Sequence, residues 1–145
     1  MSGVSGDFRA LDALIGRLGK LGPEMRGECA AVFAEQFRTL TSEGFDNATA
    51  PDGTPWAPLA PRTVARRRKR SARPLLDTGR LRNSIAITSD ADGVYLSTPV
   101  RYAATHQYGR GAIPARPFLP GDPLPDGWQR ALEETAHDLL AHFLP

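Results

Sequence analysis

Three histidines, one cysteine and a run of arginines are the residues of this 145-residue chain best suited to chemistry. His106 stands in the string Tyr102-Ala103-Ala104-Thr105-His106-Gln107-Tyr108, where an imidazole could move a proton near neutral pH. General-base work needs a nucleophile and an orienting group, and no serine or cysteine motif stands beside it. The lone Cys29 sits midway along an apolar stripe, the setting of a buried and inert thiol. His137 and His142 are five residues apart, which puts them about 140° apart around a helix and off any shared ligand face. Asp77 and Asp92 form no spaced carboxylate pair, and no glycine-rich phosphate loop is present. The expectation is a protein without catalysis, metal or cofactor.

The arginines make the sharper signal. Between Arg62 and Arg73 stand seven cations and no acid: Arg62, Arg66, Arg67, Arg68, Lys69, Arg70 and Arg73. The other eleven of the 18 basic residues face all 16 acids, so the formal charge of +2 divides into +7 and −5. Such a run neutralises phosphates in a salt-sensitive, sequence-blind way. The aromatic interleaving that single-strand binding uses is missing from it. Its second reading is a solvated face that meets an acidic neighbour, another copy of the chain included. Both readings stay open on composition.

Composition excludes other classes. A hydrophobic fraction of 41% with 23% charged residues suits one soluble globular domain. The longest apolar stretch is Cys29 to Ala34, far short of the ~20 residues a bilayer needs, and residues 1–6 lack the pattern of a signal peptide. One cysteine allows no internal disulfide. A cytoplasmic or assembly-borne domain is expected. Gly (14) and Pro (13) are high and clustered, so the loops are long and localised.

The elements that must position these residues follow from periodicity. Phe8, Leu11, Leu14, Ile15, Leu18 and Leu21 predict an amphipathic helix over 7–21, stopped by Gly22-Pro23. Pro23 opens a second helix to about residue 43, with Met25, Cys29, Val32, Phe33, Phe37 and Leu40 as its stripe and Gly44 as its end. The segment 44–63 has four prolines and two glycines and reads as an extended arm. A basic helical segment and turn follow over 64–83, with Asp77 or Thr78 capping the turn into Leu81. Ile85, Ile87, Val94 and Leu96 alternate around Ser89–Gly93, predicting a hairpin within a strand region assigned to 84–108. Within it, residues 100–109 fit either a strand or a short helix. Nine Gly or Pro in 109–127 make a second arm, and a closing helix that Asp126 opens, assigned to 128–143, carries Trp128, Leu132, Thr135, Ala136, Leu139, Leu140 and Phe143. The fold class is α+β: a small antiparallel sheet packed with N-terminal and C-terminal helices.

Five strings in this order resemble one family. They are Pro51-Asp52-Gly53-Thr54-Pro55-Trp56-Ala57-Pro58-Leu59, the basic helix that follows it, Leu75-Leu76-Asp77-Thr78-Gly79-Arg80-Leu81-Arg82-Asn83-Ser84-Ile85, the Tyr102–Gly109 string, and Pro114-Ala115-Arg116-Pro117-Phe118-Leu119. Together, over roughly residues 45–120, they resemble the virion morphogenesis proteins of tailed bacteriophages, which include the tail completion proteins of P2-like and Mu-like phages. The resemblance implies a structural protein of the head–tail neck. It would be a tail terminator that assembles in the host cytoplasm, closes into a homo-oligomeric ring (typically sixfold), caps the tail tube and meets the head-side connector. A head-closure component is the alternative within the neck. DNA would pass through the lumen, and no membrane is involved. Trp56 and Leu59 would anchor one arm, and Arg116, Pro117, Phe118 and Leu119 the other, in neighbouring subunits, the alternative for each being the chain's own core. Leu76, Asp77, Thr78, Gly79 and Leu81 would form a structural turn. His106, Gln107 and Gly109 would serve structure, the two polar side chains by bonding backbone. The extended Arg66–Arg70 run is not carried by the resemblance.

Overall fold

A long helix organises the chain. The computed structural model describes residues 16–67, 72–121 and 124–143, without the side chain of Phe143. The start of the predicted first helix, Arg68, Lys69 and Arg70, and the Phe143 ring lie outside the described residues. Helix α1 (Pro23–Asn47) opens with Pro23 in its first turn, where the missing N–H costs nothing, and Glu24 beside its positive end. Its buried face is Cys29, Ala30, Ala34, Phe37, Thr41 and Phe45. Val32, expected in that stripe, is 43% exposed, because two residues from Ala34 is the opposite side of a helix. The helix also runs past Gly44. A Cβ on Gly44 would lie 3.2 Å from the Thr49 carbonyl oxygen, so glycine here permits the chain to fold back closely. The end comes at Ala48, in the left-handed region at φ 53°, with the Thr49 N–H bonded to the Gly44 carbonyl at 3.0 Å.

Two short helices follow, α2 (Pro61–Arg66) and α3 (Arg80–Ser84). Strands β1 (Ala86–Asp90) and β2 (Gly93–Ser97) pair antiparallel about a two-residue turn, with Ile87 opposite Leu96 on the buried face. The hydroxyls of Ser84 and Thr98 share a 2.8 Å hydrogen bond that closes the open end of the hairpin. The sheet stops at Ser97, so the strand assignment over 84–108 is corrected: Ala103–Tyr108 is a helix, α4. Its buried Ala103 and half-buried Gln107, four residues apart, share one face of this helix. Helix α5 (Asp126–Phe143) completes the chain and opens at the expected Asp126.

Phe45, 1% exposed, is the centre of the main core. Trp56 meets it edge-on at 5.4 Å and Phe118 at 5.9 Å, while Phe37 meets Trp128 of α5 at 5.5 Å. Leu81, Ile87, Leu96, Leu119 and Leu132 fill the same cluster. A smaller cluster of Leu18, Cys29, Ala136, Leu139 and Leu140 joins the first half of α1 to the second half of α5. Burial, with the Glu28 carboxylate behind it, pushes the Cys29 thiol up from its ordinary value, which makes it a packing residue.

Candidate interaction groove

The two Pro/Gly segments are strapped to each other and to the core. Asp52 Oδ1 accepts the Thr54 N–H at 2.9 Å, and these bonds to Thr54 hold its carboxyl below the usual range. Trp56 Nε1 then donates to the Pro117 carbonyl at 2.7 Å. Arg116, only 5% exposed, donates from Nε to the Ala57 carbonyl at 2.7 Å and from Nη2 to the Pro58 carbonyl at 2.9 Å. Gln107 binds the second segment from α4: its Oε1 accepts the N–H groups of Phe118 and Leu119, and its Nε2 donates to the Leu119 carbonyl. Prolines cannot donate, so these side chains satisfy the carbonyls that a regular element would otherwise pair. Gly109 makes the crossing possible. At φ 77° it stands so close to the chain that a Cβ would lie 2.9 Å from Ala115 N.

Trp56, Phe118 and Leu119, expected in a neighbour's pocket, are thus buried in their own chain, and Arg116 spends its guanidinium on backbone. Pro117 is half-buried beneath Trp56. Leu59 is half-buried and lines an open groove of about 790 Å³.

That groove gathers residues from four distant strings. Leu59, Arg66 and Arg67 come from the first arm and the end of α2; Asp77, Thr78 and Gly79 come from the turn before α3, and Arg80 and Leu81 from α3 itself. Tyr102 and His106 of α4, then Ile113, Pro114 and Arg116 of the second arm, complete it. Gly79 adopts φ 79° at the start of α3, and Thr78 Oγ1 accepts the Arg80 N–H at 3.3 Å, so the turn presents Arg80 outward. Leu76 packs against the main core behind it.

The groove is cationic and partly apolar. Among its described lining residues Arg66, Arg67, Arg80 and Arg116 face a single acid, Asp77. Arg66 and Arg80 form no ion pair among the described residues. Burial, then the nearby Arg116 and Arg67 cations, pull the His106 pKa below its ordinary 6.5, so the imidazole is neutral at pH 7. Its ring meets Tyr102 edge-on at 5.6 Å. His106 carries a backbone bond through its carbonyl, which accepts the Arg116 N–H at 2.7 Å, whereas its buried Nδ1 has no partner among the described residues. The expected side-chain bond to backbone is therefore absent at that nitrogen.

Part of the basic segment is structural. Arg73 Nη2 donates to the carbonyls of Phe45 and Asp46 at the negative end of α1, and Arg67 Nη1 donates to the Arg73 carbonyl at 2.6 Å. Arg62 and Arg66 are exposed on α2. Arg82 stands in one of the five strings without a role of its own, yet it bonds Ser42 Oγ at 2.6 Å and Asp46 at 2.8 Å and lies over the Phe45 ring. Its bond to Asp46 lowers that carboxyl's pKa. No periodicity marks Arg82, because its partners Ser42 and Asp46 lie far back in the chain, Ser42 forty residues away.

Among the described residues, no cluster of three or more His, Cys, Asp or Glu is placed to hold a metal ion, and no helix is long and apolar enough to cross a membrane. Compared with known families, the chain matches the phage virion morphogenesis family over residues 6–144. It belongs to that family. No curated protein and no solved structure gives a significant match. Membership assigns this chain to the building of a phage particle, and the matched region contains every residue of the groove. In this virion morphogenesis protein the strings that carry the resemblance are thus separated in sequence and adjacent in space.

Proposed function

We propose that this morphogenesis protein is a structural, non-catalytic component of the head–tail neck, of the tail completion or terminator type. It closes into a homo-oligomeric ring on the tail tube and offers its other side to the connector, with the DNA path through the lumen. The observation that carries this reading is the groove: a built, half-apolar, cationic surface whose Arg66 and Arg80 have no ion-pair partner among the described residues, in a chain that is acidic outside residues 62–73. A ring of head-to-tail contacts needs two different, complementary surfaces on each subunit, and this charge division supplies them. A hydrolytic reading finds no support at His106, whose Nδ1 has no orienting partner among the described residues.

Mass photometry of the full chain, alone and with tail-tube protein, tests the proposal. A species near six subunits, or a stable complex with the tube, is the expected result; a strictly monomeric chain in both mixtures overturns it. Electron cryomicroscopy of the particle then distinguishes a tail terminator from a head-closure subunit by its side of the joint.

A further inference from the structure

The acidic tip of the hairpin is the counterpart of the groove. Asp90 Oδ1 accepts the N–H groups of Asp92 and Gly93 at 2.7 and 3.1 Å and the Tyr95 hydroxyl at 3.2 Å, which holds the turn in one shape. Asp92 is exposed, and neither aspartate has a cation partner among the described residues. The turn residues Ala91, Asp92 and Gly93 are slim, so the tip can enter a cavity of about 790 Å³.

It cannot enter its own. The hairpin's open end adjoins α3, which lines the groove through Arg80 and Leu81. Arg82 of α3 bonds Ser42 and Asp46 near the end of α1, whereas Arg38, further back, bonds the Ile87 carbonyl. The strands therefore run away from the groove along α1, and four residue steps carry the tip about 13 Å further off. The acidic tip and the cationic groove thus occupy separate places on one subunit. That arrangement suits a head-to-tail contact between copies, preorganised on both sides.

We propose that the groove receives the Asp90–Gly93 tip of a second copy of this chain, with Arg66 and Arg80 facing Asp92. This rests on the ring reading above and names its contact. The test uses charge reversal in the full chain, with circular dichroism confirming that each variant folds. Asp90 is left in place because it builds the turn. Asp92→Lys alone and Arg66→Glu with Arg80→Glu should each weaken self-association at least about tenfold, since like charges then meet. Mixing the two variants in equal amounts should restore assembly, because alternate contacts pair a native tip with a native groove and a reversed tip with a reversed groove.

Reversed variants that assemble like the wild type, or a mixture that stays dissociated, overturn this contact while the ring reading stands. A wild-type chain that never associates overturns both. Loss of duplex DNA retention in the groove variant with assembly intact assigns the arginines to nucleic acid and overturns the contact as well.

Discussion

The two Pro/Gly segments and the hairpin tip are all loops, yet they treat their polar groups in opposite ways. In the segments around Trp56 and Arg116, side chains turn inward and bond the carbonyls of Ala57, Pro58, Pro117 and Leu119. At the tip, Asp90 satisfies the turn's own N–H groups and Asp92 is left to solvent. Glycine and proline content alone would class the segments as the free arms and the hairpin as the framework. The pairing of polar groups reverses that assignment: the segments hold the core together, and the hairpin tip and groove offer Asp92, Arg66 and Arg80, which have no ion-pair partner among the described residues.

Substitutions should separate the two regions by size of effect. Trp56→Ala removes a 6% exposed indole between Phe45 and Pro117 and should cost about 4 kcal/mol, measured by urea denaturation. Arg116→Met keeps much of the packing and strips the donors from Ala57 and Pro58; a loss of about 3 kcal/mol, or roughly 10 °C in Tm, is expected by calorimetry. A value under about 1 kcal/mol would mean that the straps contribute little and the comparison fails. Gly109→Ala must hold φ 77° with its methyl against Ala115 N, so about 2 kcal/mol is expected from the same denaturation series. Asp92→Lys, by contrast, should change monomer stability by less than about 0.5 kcal/mol while altering self-association.

The pH dependence sharpens the groove's part in stability. The native state holds the His106 pKa below 6.5, so the unfolded chain binds more protons as pH falls through 6.5. Stability contributed by the neutral ring is full above that value and declines until the native pKa is passed. Urea midpoints at pH 7.5 and 5.5 should therefore differ more for the wild type than for His106→Gln, which removes this titration.

Much of the fold was legible in local pattern. The i, i+4 spacing of apolar residues marked α1 and α5, and the alternation around Asp90–Gly93 marked the hairpin. Residues 100–109 were ambiguous because alanines and aromatics fit both periods, and the packing of Ala103 and Gln107 chose the helix. The end of α1 was misjudged at Gly44, since a glycine signals a stop unless a close approach, here by Thr49, requires it within the helix. The groove was not legible as a place. Leu59, Asp77, His106 and Arg116 could be named as motif residues, but the spacing between them carries no distance.

What the sequence determined by itself is what local physics determines: helical and strand periods, proline stops, the absence of an apolar span among its stretches, and a charge division of +7 against −5. The ordered strings also sufficed to suggest the family to which the chain belongs. Tertiary structure decided how the cations are used. Arg73 caps α1, Arg116 straps two loops and Arg66 and Arg80 are left on a groove wall, although all four have the same side chain. A guanidinium's role is set by which carbonyls and carboxylates come within about 3 Å, and only the folded chain brings them there.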